Sequence, residues 1–302
     1  MSDSRFIPIP LIRTDPIDPK TAVSEADWTD ADRAAIRTVH ELYDEIDGMR
    51  GGYDRSLQRS IGPSELGTDC DKCFMRKMAE IPKSVHDNGS WKTQVGTYVH
   101  AGLEADFDRM FGHLGTRIAE GELTIDEYGG RILRGHCDMF VPNLREDQPQ
   151  TDAFGVVVDW KIPSTDEDKR TGKLKPSATM AKVVAGKIGR QYLAQSMAYG
   201  HGWVRKGYNI THVVVFYIPS FGQLWDARPI IMRYSPEWAA WGIARWRAAL
   251  DARDVFMSLG LDEEKAWRKI IDAQTKAGFC FSCKHYEELE ESGGLSILNL
   301  NR

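Results

Sequence analysis

The sequence predicts an α/β protein in which helices accompany a mixed sheet, and three observations carry that expectation. Val95, Val99, Leu103, Phe107 and Phe111 recur at the period of one helix face, and Gly112 stops the pattern. Three segments of strand-like composition follow in succession, residues 117–126, 131–141 and 154–162, the first two meeting at Gly129-Gly130 as a tight hairpin. A helical segment over 181–204 then leads to 212–218, a nearly unbroken apolar run of the kind found in a strand covered on both faces. The order is helix, three strands, helix, strand.

The flanking elements follow from local signals. Residues 7–30 hold Pro8, Pro10, Pro16 and Pro19, which prevent a continuous helix and predict an extended lead-in. Asp30 can cap the next helix, where Ile36, Val39, Leu42, Tyr43 and Ile46 keep helical spacing until Gly48, Gly51 and Gly52. A second helix contains Cys70 to Met78, and the helix beginning near Trp91 carries His100 and Glu104. Beyond the core, Ile230 to Tyr234 forms an edge strand and Pro236 opens a Trp-, Ala- and Arg-rich helix to about Leu259. A last helix spans 263–276, and Gly278 ends it before the loop Cys280-Phe-Ser-Cys283. The expected organisation is an extended segment (1–30), a helical part with Cys70 and Cys73 (31–90), an α/β core (91–234), and C-terminal helices with Cys280 and Cys283 (235–302).

With 302 residues, of which 42% are hydrophobic, the chain can bury a sizeable core, which excludes disorder throughout. No run of 18 apolar residues occurs, and Met1 to Arg5 lacks the basic-then-apolar start of a signal peptide. The expectation is a cytoplasmic protein with no membrane partner, or one in the host cytoplasm if phage-encoded. The net charge of −5 excludes a uniformly basic surface but not a local basic groove. No P-loop pattern is present, so neither a nucleotide cofactor nor a helicase motor is expected in this chain.

The most informative local sequence is Val156-Val-Val-Asp159-Trp160-Lys161. Here an apolar strand ends by presenting a carboxylate and an ammonium two residues apart, on the same side of the sheet and, by expectation, toward solvent. The preceding strand offers Gly135-His-Cys-Asp138, so a second carboxylate can converge with Asp159 on one cation. Two acids and a lysine suit metal-assisted phosphodiester hydrolysis, in which carboxylates hold Mg²⁺ or Mn²⁺ and the lysine orients water or stabilises developing charge. A plain Asp–Lys ion pair is the other reading of the triplet.

With these residues the sequence resembles the PD-(D/E)xK nuclease superfamily, in its RecB-like branch. Gly96-Thr-Tyr-Val-His100-Ala-Gly-Leu-Glu104 is similar to the branch's helical motif, Asp138 and Asp159-Trp160-Lys161 to its second and third motifs, and Gln195-Ser-Met-Ala-Tyr199 to its Q-x-x-x-Y motif. The resemblance runs from about Ser64 to Cys283, with an insertion around 143–152. It implies a restriction-endonuclease-like core in which His100, Asp138, Asp159 and the main-chain carbonyl of Trp160 ligate metal. It further implies that Lys161 acts on the attacking water and that Gln195 and Tyr199 support the site, Gln191 being a competing choice for the motif glutamine. The implied activity is Mg²⁺- or Mn²⁺-dependent exonucleolytic cleavage of DNA, on single-stranded ends, in recombination, repair or phage DNA processing. The alternative is a non-catalytic DNA-binding recombination-accessory protein that keeps the fold.

Cys70-Asp-Lys-Cys73 and Cys280-Phe-Ser-Cys283 form a second signal, because four thiolates can close a tetrahedral site. Ligand count allows zinc or a [4Fe–4S] cluster. The resemblance to the CRISPR-associated and AddB-like iron–sulfur exonucleases implies the cluster, stapling a helical subdomain across the core. Those proteins place one cysteine ahead and three behind, whereas this chain has two and two, so zinc stays as the alternative. Cys137 reads as a buried strand thiol.

Residues 161–190 hold eight Lys or Arg and three acids, a local excess of five positive charges that suits a phosphate backbone. Lys169, Arg170, Lys173 and Lys175 are its candidate DNA contacts, on a loop or flap marked by Gly172, Pro176 and Gly186. A homo-oligomer or a helicase or recombinase partner is compatible with this reading.

Overall fold

The computed structural model describes residues 29–30, 33–34, 37, 60–81, 91–111, 118–142, 155–163, 165–167, 174–176, 183, 187–218, 220, 227–278, 280, 283 and 286. The chain divides into two compact units, Met1–Asp54 and Arg55–Arg302. In the first, Asp30 is already helical and Arg33 donates to the carbonyl of Thr29 at 3.0 Å, so the helix begins one residue earlier than an Asp30 cap requires. The expected lead-in and the rest of that helix lie outside the described residues.

The second unit contains helices α1 (Pro63–Leu66), α2 (Asp71–Met78) and α3 (Trp91–Phe111), then strands β1 (Ile118–Tyr128), β2 (Arg131–Val141) and β3 (Gly155–Lys161). Two short strands, β4 (Thr165–Glu167) and β5 (Leu174–Pro176), precede α4 (Arg190–Arg205), β6 (Ile210–Tyr217), β7 (Arg228–Arg233), α5 (Pro236–Ser258) and α6 (Glu263–Asp272). The main sheet runs β1-β2-β3-β6-β7 and is mixed: β3 and β6 are parallel, and every other neighbouring pair is antiparallel. Gly129 and Gly130, with φ of 55° and 71°, supply the left-handed backbone that the β1–β2 turn needs.

The two sheet faces are covered by different helices. On one, Leu103 and Phe107 of α3 pack with Met139, Val158 and Trp160. On the other, Ala194, Met197 and Ala198 of α4 join Leu123, Phe140, Val157 and Val213 in the main core, which also takes in residues of α2, α5 and α6. These are the layers expected when a sheet with two apolar faces has to exclude water from both.

Three local expectations are corrected. The helix expected over 181–204 is interrupted at 187–189, where Gly189 is extended (φ −72°, ψ 146°), and its regular run is Arg190–Arg205, while Val183 is helical. The last helix stops at Asp272 rather than 276, where the apolar positions run out after Ile270 and Ile271. The stretch read as a loop after Lys161 contains the antiparallel β4–β5 pair.

Candidate active site and thiol cluster

Alternation along β2 sets up the site. Leu133, Cys137 and Phe140 are fully buried, Cys137 and Phe140 both against Trp203 of α4, while Met139 packs with Leu103 and Phe107 of α3. Asp138 lies between Cys137 and Met139. Its Oδ1 lies 2.9 Å from His100 Nδ1 on α3, and its Oδ2 accepts from the main-chain N–H of Trp160 at 2.5 Å. One carboxylate thus joins a helix and two strands.

Asp159 and Lys161 stand two residues apart on β3, with Asp159 Oδ2 2.6 Å from Lys161 Nζ. The expectation that both reach solvent is corrected: the Asp159 side chain is only 3% exposed and that of Lys161 19%. The reason lies in α4. Tyr192, Gln195 and Tyr199 share one helix face at spacings of three and four; Lys161 Nζ is 5.2 Å from the Tyr192 ring centroid, and Gln195 Nε2 donates to Tyr199 Oη at 3.0 Å, both of them buried. Burial pushes the Asp159 carboxyl up to about 6 and the Asp138 charge adds to that, against the opposing pull of Lys161. Burial pulls the Lys161 ammonium down, but the Asp159 charge and hydrogen bond outweigh it and hold it above its ordinary value. Tyr199 is raised well up, by burial and then by Asp159. Gly135 permits this packing, because a Cβ there would meet Pro63 at 2.5 Å and Tyr199 at 2.9 Å.

His100, Asp138, Asp159 and Lys161 are therefore linked as two pairs, His100 with Asp138 and Asp159 with Lys161. Gln191 is exposed and donates to the carbonyl of Ser64 at 2.7 Å, away from the Gln195–Tyr199 pair. Trp160, read as a possible metal ligand through its carbonyl, turns its ring onto Phe107 at 5.6 Å and edge-on to His100 at 5.8 Å. Cys137 is a buried strand thiol and accepts from Trp203 Nε1 at 3.1 Å. Tyr192, which as an aromatic could be expected to stack an unpaired base or to fill core, lies under Lys161, and its place three residues before Gln195 is the signal for that. Lys169, Arg170 and Lys173 lie outside the described residues, and Lys175 is described only as backbone on β5.

The four paired cysteines come together from opposite ends of the second unit. Cys70 caps α2 and Cys73 lies in its first turn, while the N–H of Cys283 donates to the carbonyl of Cys280 at 3.2 Å in a turn beyond α6. The Sγ atoms of Cys73 and Cys283 are 3.2 Å apart, those of Cys70 and Cys283 and of Cys73 and Cys280 3.5 Å, and all four lie within 4.8 Å. None forms a disulfide. Among the described residues this is the one group of three or more His, Cys, Asp or Glu gathered closely enough to hold a metal ion. Burial and the neighbouring thiols push Cys73 far up, and burial pushes Cys283 up to about 11. Burial opposes ionisation of Cys70 as well, but main-chain hydrogen bonds at Ala277 and Cys73 bring it down to about 7. Four thiols so crowded can ionise together only around a cation.

No helix among the described residues is long and apolar enough to cross a membrane. No family model matches the chain, and no curated protein matches it. Among solved structures it is similar to a candidate exonuclease of Eubacterium rectale, with 11% identity and a TM-score of 0.42 over 78% of this chain and 90% of that one. It is also similar to SSO0001, at 13% identity and a TM-score of 0.39 over 81% and 92% of the two chains. A third is the alkaline exonuclease LHK-Exo of Laribacter hongkongensis, at 10% identity and a TM-score of 0.40 over 68% and 95%.

Proposed function

We propose that the chain is a metal-dependent deoxyribonuclease that hydrolyses phosphodiester bonds at DNA ends. The observation that carries this reading is the placing of two pairs on adjoining strands, Asp138 of β2 against His100 of α3 and Asp159 of β3 against Lys161. A binding module gains nothing by gathering two carboxylates where phosphates must approach. The donor set, two carboxylates with one imidazole and the main-chain carbonyl of Trp160, is oxygen-rich and of the kind that suits Mg²⁺ or Mn²⁺, although His100, Asp138 and Asp159 are not gathered as closely as the cysteines and would have to close on an ion to hold it together. Such an ion, when bound, polarises the phosphoryl oxygen and lowers the pKa of a water.

The chain's own residues then have separate tasks. His100 and the Trp160 N–H fix the rotamer of Asp138, one holding each carboxylate oxygen. Lys161, an ammonium held by Asp159, orients the attacking water and stabilises charge developing on the phosphate. Tyr199 and Gln195 close the floor of the site and exclude bulk water from Asp159. Lys169, Arg170, Lys173 and Lys175 contact the DNA backbone beside it. The four cysteines hold a metal centre that closes the chain ends across the core, by the resemblance a [4Fe–4S] cluster and by ligand count equally a zinc ion. Single-stranded ends in recombination, repair or phage DNA processing are the expected substrate, with a second copy or a helicase or recombinase as partner.

The test is a nuclease assay on end-labelled linear and on circular DNA with Mg²⁺, Mn²⁺ or EDTA. Cleavage of linear DNA that needs either ion and spares circles is the expected result. Activity that persists in EDTA overturns the mechanism.

A further inference from the structure

We propose that the four-cysteine site is built for a single tetrahedral zinc ion and not for a four-iron cluster. The inference is independent of the nuclease reading, since it rests only on the thiols and what surrounds them. Ions and clusters demand different room. A zinc–thiolate bond of about 2.3 Å fixes the edge of an S₄ tetrahedron at about 3.8 Å. The measured spacings of 3.2, 3.5 and 3.5 Å, with no separation among the four above 4.8 Å, straddle that edge. A four-iron cube instead keeps its own irons and sulfides between the thiolates, so each cysteine binds a different corner and the sulfurs stand much farther apart.

The surroundings oppose such expansion. Cys70 is 2% exposed, Cys73 5% and Cys283 not at all, and all three belong to the main core with Phe74, Trp267, Ile270 and Tyr286. Arg76 of α2 is buried as well, its guanidinium 5.1 Å from the Tyr286 ring centroid. Spreading the thiolates would push close-packed side chains off their contacts. Only Cys280 is partly exposed, which gives a bare ion a way in. The arrangement of the ligands agrees: a pair on the first turn of a helix and a pair on a tight turn, two from each end, supply four donors to one point.

The experiment uses the full chain, produced in iron-replete cells and purified without oxygen, then stripped of metal and divided. One portion receives Zn²⁺ or Co²⁺ and the other ferrous iron with sulfide, and metal content, acid-labile sulfide and visible spectra are recorded. The expected results are a colourless protein with one zinc per chain as purified, and an intense visible spectrum of tetrahedral cobalt thiolate on Co²⁺ addition. Both are lost in the C280S/C283S variant, and iron with sulfide leaves no stable brown species. A brown protein carrying about four irons and matching sulfide, as purified or after reconstitution, overturns the proposal. So does a chain that binds neither Zn²⁺ nor Co²⁺ stoichiometrically.

Discussion

His100 Nδ1 and Asp138 Oδ1 lie 2.9 Å apart, joining the helix on one face of the sheet to β2. The bond determines which way the Asp138 carboxylate faces. Replacing His100 with Ala leaves Asp138 tied only to the Trp160 N–H and removes a neutral nitrogen ligand, so affinity for Mn²⁺ should fall about ten- to a hundredfold. Calorimetric titration of the DNA-free protein measures this. An unchanged affinity would reduce the histidine to a packing role against Trp160.

Lys161 and Asp159 should behave differently from one another when replaced. Lys161→Ala leaves a carboxylate that is 3% exposed without its partner, and breaking such a pair costs about 3 kcal/mol. Asp159→Asn removes the buried charge itself and should cost much less stability. Both should lower cleavage at least a thousandfold. Denaturant titration and a nuclease assay on the same preparations separate the effects, and a Lys161→Ala protein as stable as the parent would contradict the buried-pair account.

The fold was legible wherever one periodicity acted alone. The helix face through Val95 and Leu103, the Gly129-Gly130 turn and the covered strand before Ile218 all follow from residue spacing, because burial on one face leaves a regular pattern. The hold of His100 on Asp138 was not legible, since the two residues lie 38 positions apart in the chain. The burial of Asp159 was equally hidden: an Asp-x-Lys at a strand end reads the same whether Tyr192 and Tyr199 cover it or water does. The cysteines were legible as two pairs because a duplicated Cys-x-x-Cys spacing is the pattern of a metal-binding thiol set, while their separation in space had no counterpart in the sequence.

Asp126 on β1 accepts both Nε and Nη2 of Arg247, at 2.6 and 2.7 Å, with Arg205 at 3.7 Å, and so ties α5 and α4 to the sheet edge. Burial raises this carboxyl, but the Arg247 hydrogen bonds overcome it and hold it below the ordinary carboxylate range. The stabilisation is therefore complete above the unfolded carboxyl's pKa and is lost as pH falls through the lower folded value. Asp126→Asn should be less stable than the parent by about 2 kcal/mol at pH 7. The gap should close as the pH falls below the ordinary carboxylate range. Denaturant curves across that range check the sign, and a gap that widens on acidification would refute it.

Cys70 and Cys283 are 213 positions apart in sequence and 3.5 Å apart in space, so any metal held between them closes a loop around nearly the whole core. Cross-linking a loop of that length removes about 5 kcal/mol of denatured-state chain entropy. Metal removal should accordingly lower the unfolding temperature on the order of 10 °C while leaving the sheet formed. The effect should come first in α2 and the turn after α6, where the thiols meet. Thermal unfolding with and without a chelator measures the shift. The C280S/C283S variant should start at the lower temperature and ignore the chelator, because its loop is already open. Hydrogen exchange supplies the second readout: amides of α2 should lose protection on metal removal while those of β3 and β6 keep theirs. Equal loss in both regions would mean that the thiols support the whole unit cooperatively rather than staple its ends.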